Sequence, residues 1–291
     1  MNKTVAAVTM VRDDVFFLRR WITYYGGHFG RENLYIVNHG RGAAVAAEAA
    51  GCNLIGIPQG DVKNFDRIRW RLLNGIVTGL LPYFSHVIVG DVDELVVLDP
   101  ATGQTLAEWL AAQARGAVLT PVCLELVHDR ATETAAIGTH ILGPRRYART
   151  VLKYSKPCVI STETRLSRGG HFASEPALVC PDPLYLFHLK YCDFATYAET
   201  MTARNRVTDA AAATLAKTSI GRHWFKEFRG EDSEVFDSFA RLPAEATFDF
   251  TALRKGMRDS FAPRADSGFF QFAIRDRPNR HQIPERFFGQ F

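Results

Sequence analysis

Three carboxylates, Asp91, Asp93 and Glu94, follow directly on the apolar run His86-Val87-Ile88-Val89-Gly90. Two aspartates separated by one residue point the same way on extended backbone. They repel each other unless a cation lies between them, and hard oxygen ligands suit Mg²⁺ or Mn²⁺. A diphosphate would complete the octahedral shell of such an ion. The same three letters also occur in solvated turns, so the surroundings decide what the pair means. Two later stretches carry matching chemistry. His188 ends the short apolar run Leu184–Phe187, where a neutral imidazole suits Mn²⁺ as a third ligand. Lys156, Arg168 and His171 gather around the turn Gly169-Gly170, a place to hold diphosphate oxygens.

The elements that must position these groups read as alternating strands and helices. Thr4–Met10, Leu34–Val37, Asn53–Ile57 and the run ending at Asp91 read as strands, the first of them buried and His86–Val89 suited to burial on both faces of a parallel sheet. Between them, Phe16, Phe17, Trp21, Tyr24 and Tyr25 recur at helical spacing, with Asp13 or Asp14 as cap and Gly26-Gly27 as stop. A helix over Ala43–Ala50 ends at Gly51, and a longer one over about Asn64–Leu81 carries Arg67, Arg69 and Arg71. This alternation predicts βαβ units, an α/β fold class and a mostly parallel sheet flanked by helices. Ligands of such sheets bind outside the carboxyl ends of the strands. The loops Arg12–Asp14, Asn38–Gly40 and Asp91–Glu94 then share one edge. That convergence raises the Asp-x-Asp above the background.

Downstream, the pattern predicts a helix over Leu106–Ala114, a strand over Val118–Val127 and a long loop over Ala131–Gly143. Short strands are expected at Val151–Tyr154, Val159–Ser161 and Leu184–Phe187, and helices at Phe194–Arg204 and Ala210–Phe228. From Gly230 the pattern weakens into short aromatic and basic pieces. The organisation expected is a nucleotide-binding half over about 1–98, an acceptor half over about 99–205, and a helical or irregular C-terminal extension over 206–291.

With 291 residues, 47% of them hydrophobic, the chain can bury a full core, and a net charge of +4 argues against a nucleic-acid module. Cys52, Cys123, Cys158, Cys180 and Cys192 are widely spaced and form no Cys-x-x-Cys pair, so reduced, packed thiols are expected. No apolar stretch approaches a membrane span, and Met1-Asn2-Lys3 leads straight into strand-like sequence. The expectation is a cytoplasmic protein with at most peripheral membrane contact.

Several of these stretches resemble one family. Val11-Arg12-Asp13-Asp14 with Leu18, Trp21 and Tyr24-Tyr25 is similar to the opening of family 2-type glycosyltransferases, in the subgroup similar to family 92 enzymes. Phe29–Gly40, the Asp91-Val92-Asp93-Glu94-Leu95 box, Lys156-Pro157, His171 and Phe187-His188-Leu189-Lys190-Tyr191 look like its later landmarks. The similarity covers roughly residues 4–205. Arg12-Asp13-Asp14 stands where the subgroup has Lys-Asn-Glu, and Asn38 where an Asp often sits.

The resemblance implies a GT-A fold, a nucleotide-sugar donor (UDP-linked), a carbohydrate or glycolipid acceptor, inversion, and a divalent ion, Mn²⁺ or Mg²⁺. On that reading Asp93 is a direct metal ligand, Asp91 a ribose or metal contact, and His188 a third ligand. Asp14 and Asn38 are candidate uracil or ribose contacts. Arg71, with Asn74, resembles an Arg-x-x-Asn element that precedes the Asp-x-Asp, while Lys156 and His171 face the diphosphate. A carboxylate must take the proton of the acceptor hydroxyl. Asp129 is the first choice, Glu125 a second, and Glu133 lies in the same stretch. Glu94 either orients the box through hydrogen bonds or is a solvated neighbour. Two rivals remain: a sugar-phosphate nucleotidyltransferase, which would want a Gly-rich loop after the first strand, and a catalytically silent nucleotide- or sugar-binding module.

Overall fold

The structure is a computed structural model that describes residues 5–59, 65–200, 232–245 and 247–291. Its fold class is α/β, built on two mixed six-stranded sheets. The first runs β3-β2-β1-β4-β9-β6. Here β1 (Val5–Val11), β2 (Leu34–His39), β3 (Asn53–Ile57) and β4 (His86–Gly90) are all parallel. β9 (Val159–Ile160) lies antiparallel beside β4, and β6 (Val118–Leu119) antiparallel beside β9.

β1 shows why this sheet forms. Val5, Ala7 and Val11 enter one apolar core while Ala6, Val8 and Met10 enter another, so both faces are buried. Helix α1 (Val15–Phe29) covers the first face with Phe17, Trp21 and Tyr25. The second face is covered by α3 (Phe65–Leu80), which buries Trp70, Leu73 and Val77. The short α2 (Ala43–Glu48) links β2 to β3. Gly26 and Gly27 lie inside α1, not at its end. The stop is Gly30, whose φ of +84° suits a residue without a Cβ.

The second sheet runs β11-β14-β8-β7-β10-β5 and is largely antiparallel, so "mostly parallel" holds for only part of the molecule. It contains β5 (Glu94–Leu98), β7 (Val122–Val127), β8 (Tyr147–Thr150) and β10 (Leu184–Tyr191). After β5, α4 (Leu106–Ala112) is closed by a Thr105–Glu108 capping box. The single strand expected over Val118–Val127 is split between the sheets. The run Val118–Val127 breaks at Thr120-Pro121, where proline has no N–H to give a ladder, and continues as β7 in the other sheet. β4 likewise ends at Gly90, and β5 begins at Glu94 in the second sheet.

The backbone between β4 and β5 is a turn closed by Glu94 N–H to Asp91 C=O at 3.1 Å. Asp91 and Asp93 therefore do not sit on one continuous extended strand. β5, an edge strand, is tied to α1 by two tyrosines. Tyr24 Oη donates to Val96 C=O at 2.9 Å, and Val96 N–H donates to Tyr25 Oη at 2.8 Å.

Other boundaries differ as well. Leu152–Tyr154 is a 3₁₀ turn, and the strand lies just before it at β8. β10 runs past His188 to Tyr191, which places His188 inside a strand. The C-terminal region is more than a helical or irregular extension. β11 (Ala244–Glu245) and β14 (Arg280–Gln282) join the second sheet, β12 (Ala262–Arg264) and β13 (Phe269–Gln271) form a hairpin, and Phe287 and Phe291 enter the first core. Residues 194–200 begin the helix expected over Phe194–Arg204; its remainder and the helix over Ala210–Phe228 lie outside the described residues.

Candidate functional site

β1, β2 and β4 are parallel neighbours, so the loops Arg12–Asp14, Asn38–Gly40 and Asp91–Glu94 do emerge at one edge. The order β3-β2-β1-β4 reverses direction between β1 and β4, the switch point where open α/β sheets bind ligands. The two strands are stitched there by Thr9 Oγ1 to Gly90 C=O at 3.0 Å.

Asp91 sits at that point between two cations. Its Oδ1 accepts from Arg69 Nη2 and its Oδ2 from Lys156 Nζ at 2.8 Å. Burial alone would raise the Asp91 pKa, but these two charges hold it well below the ordinary value. Lys156 is almost fully enclosed, with 2% of its side chain exposed, and also pairs with Glu94 Oε1 at 2.6 Å. Burial opposes a charged amine, yet Asp91 and Glu94 outweigh it and raise the Lys156 pKa. Glu94 closes the cluster by accepting Asp91 N–H on Oε2 at 3.1 Å. Burial lifts its own pKa, with Asp91 and Asp93 adding to that against Lys156.

The second half of the site is a charged row across strands. Glu94 on β5, His188 on β10, Glu125 on β7 and Arg149 on β8 are in register and share one face. His188 Nδ1 donates to Glu125 Oε1 at 2.8 Å, and Arg149 pairs with Glu125 Oε2 at 2.5 Å. On its far side His188 Nε2 stands 3.6 Å from Asp93 Oδ2. Burial lowers a histidine pKa; here hydrogen bonds to Asp93 and Glu125 reverse that and raise it to about 10. Glu125 goes the other way. Burial would raise it, but His188 and Arg149 bring it to about 2. The Tyr154 ring packs against His188, tilted by 40°, with centroids 4.5 Å apart.

His171 joins from the Arg168–Gly170 turn. Its Nδ1 bonds Lys153 C=O at 2.6 Å, and burial, with Lys156 nearby, lowers its pKa to about 4. That turn is pinned to α3, because Asn74 donates to Leu166 C=O at 2.9 Å and accepts Leu166 N–H at 2.8 Å.

The other candidates fall outside this cluster. Arg71 is exposed on α3, and Arg69 is the arginine that faces Asp91. Asp14 caps α1 by accepting Phe17 N–H, and Asn38 closes its own loop through two bonds to Gly42 at 2.9 and 3.0 Å. Asp129 is buried at the end of β7, where it holds Arg280 at 2.7 Å and Ala131 N–H at 3.2 Å. Glu133 accepts the backbone N–H of Asp129 and Arg146. Sequence reasoning missed Arg149 and undervalued Arg69. The helical period did separate Arg69 from Arg67 and Arg71, and that was the available signal.

No group of three or more His, Cys, Asp or Glu side chains is arranged around one point among the described residues. Both Asp91 oxygens are engaged by cations, so an ion bridging Asp91 and Asp93 would have to displace Lys156 or Arg69. At Asp93 and His188 an ion would have to displace the proton that Asp93 and Glu125 hold on the imidazole. An oxygen and a nitrogen face each other, and Glu125 holds the far side of the imidazole, as carboxylates do behind metal-bound histidines.

No known protein family matches the chain, and no curated protein resembles it significantly. The described helices include none long and apolar enough to cross a membrane.

Proposed function

We propose that this chain is a GT-A-type glycosyltransferase that moves a sugar from a nucleoside diphosphate sugar, UDP-linked, to a hydroxyl of a carbohydrate or glycolipid, with inversion. The observation that carries this reading is the Asp91–Glu94 turn, placed at the β1/β4 switch point with Arg69 and Lys156 on Asp91. Arg69 and Lys156 keep Asp91 ionised and fixed, while 29% of its side chain stays open toward the crevice, where it can accept ribose hydroxyls. Asp14 and Asn38 shape the neighbouring loops through their bonds to Phe17 and Gly42, and His171 lies on the Lys156 side of the turn. Asp93 and His188 would hold Mn²⁺ or Mg²⁺, and such an ion neutralises charge on a leaving diphosphate. Glu125 positions His188.

Of the carboxylates considered for the acceptor proton, Glu125 and Asp129 are held below their ordinary pKa values, which makes them weak bases. Burial raises both Glu94 and Glu133, the direction a base needs. The test is thermal stability against a panel of nucleotide sugars with and without Mn²⁺, repeated on Asp93→Ala. A ligand at a hundredfold its Kd adds about 2.7 kcal/mol. Absence of any metal-dependent stabilisation of the wild type would sink the reading.

A further inference from the structure

Arg149 is one point at which C-terminal residues meet this site. Arg149 carries its guanidinium 4.6 Å above the ring of Phe239, which belongs to the helix Asp232–Ala240. On the other edge of β8, Arg280 of β14 is in register with Arg149. Like charges opposite one another repel, but each arginine has its own acid: Arg280 pairs with Asp129 at 2.7 Å and Arg149 with Glu125. The two Glu125 oxygens are divided between two partners. Arg149 Nε and Nη2 both donate to Oε2, at 2.8 and 2.5 Å, which leaves Oε1 for His188 Nδ1 at 2.8 Å. Glu125 is only 2% exposed, so water has little room to stand in for either partner.

We propose that Arg149 is a positioning residue: by occupying Oε2 of Glu125 it commits Oε1 to His188 Nδ1, and so aims His188 Nε2 at Asp93. Phe239 packs against the guanidinium, which makes the helix Asp232–Ala240 part of the machinery that orients the site. The functional meaning rests on the reading of Asp93 and His188 as the donor-side pair; the geometry stands apart from any reaction. Arginine suits this task because its rigid fork can converge two N–H groups on one oxygen while keeping its charge.

The test follows the ring N–H signals of His188 by NMR in the ¹⁵N-labelled full chain without ligands, assigned by comparison with His188→Gln. In the wild type the Nδ1–H signal is shifted downfield and exchanges slowly with water. In Arg149→Gln that exchange speeds up by about tenfold, as weakening a charge-assisted hydrogen bond requires. Arg149→Lys recovers part of the protection, and Phe239→Leu loses part of it. An unmoved His188 signal in a folded Arg149→Gln protein overturns the proposal. If Arg149→Gln does not fold, an unmoved signal in both Arg149→Lys and Phe239→Leu overturns it equally. Failure of the wild type to bind any nucleotide sugar would remove the glycosyl-transfer reading and leave this result intact.

Discussion

At the scale of single residues, α3 separates two arginines only two positions apart. Arg69 is buried against Asp91, whereas Arg71 is exposed. Arg69→Gln is expected to abolish stabilisation by a nucleotide sugar and to lower stability by about 2 kcal/mol, below the full cost of breaking a buried pair because Asp91 is partly open. Arg71→Gln is expected to leave both near wild type. Thermal shift with chemical denaturation checks the contrast, and equal effects from the two substitutions would refute the assignment of Arg69. A second contrast separates the aspartates. Asp93→Asn and His188→Gln should each weaken Mn²⁺ binding, read by electron paramagnetic resonance, whereas Asp91→Asn should weaken nucleotide binding and spare Mn²⁺. Loss of Mn²⁺ binding in Asp91→Asn would return Asp91 to the metal.

Among the elements, the Arg168–Gly170 turn matters because it seats His171 against the site. Gly170 has φ +66° and lies against the six-membered ring of Trp70 of α3, so an added Cβ would overlap that ring. Gly170→Ala is expected to cost about 2–3 kcal/mol, since strain and overpacking add. Gly27→Ala is the matched control: the site is helical and open, and alanine there should stabilise by about 0.5–1 kcal/mol. Denaturant midpoints measure both, and a neutral Gly170→Ala would show that the turn is not held by Trp70. The same elements show what could be read from the sequence. β1 to β4 and their helices were legible because their periods are set locally, by short apolar runs and by caps such as Asp14. The pairing of Glu94, His188, Glu125 and Arg149 was not. It joins four strands far apart in the chain, and register between distant strands is decided by tertiary packing. The exits of β4 and β6 from the first sheet were hidden for a related reason, since an apolar run gives no sign of changing sheets.

For the molecule as a whole, distant parts of the chain are tied by ion pairs, and the one between Asp99 and Arg286 is open to test by pH. Asp99 follows β5, and Arg286 lies in the 3₁₀ turn Glu285–Phe287 that seats Phe287 in the core. Arg286 Nε and Nη2 donate to the two Asp99 oxygens at 2.7 and 2.9 Å, a bidentate pairing. Burial would raise the Asp99 pKa, but Arg286 and the Ala101 N–H outweigh it and lower it. A carboxylate whose folded pKa lies below its unfolded value of about 3.9 stabilises the fold fully above that value. That contribution disappears as pH falls through the folded pKa, when the proton binds both states alike. Wild type should therefore lose more stability between pH 6 and pH 3, in roughly that window, than Arg286→Gln does, because the variant has already lost most of the linkage. Urea midpoints across that range measure the difference, and parallel pH curves for the two proteins would show that Arg286 does not anchor the C-terminal turn through Asp99.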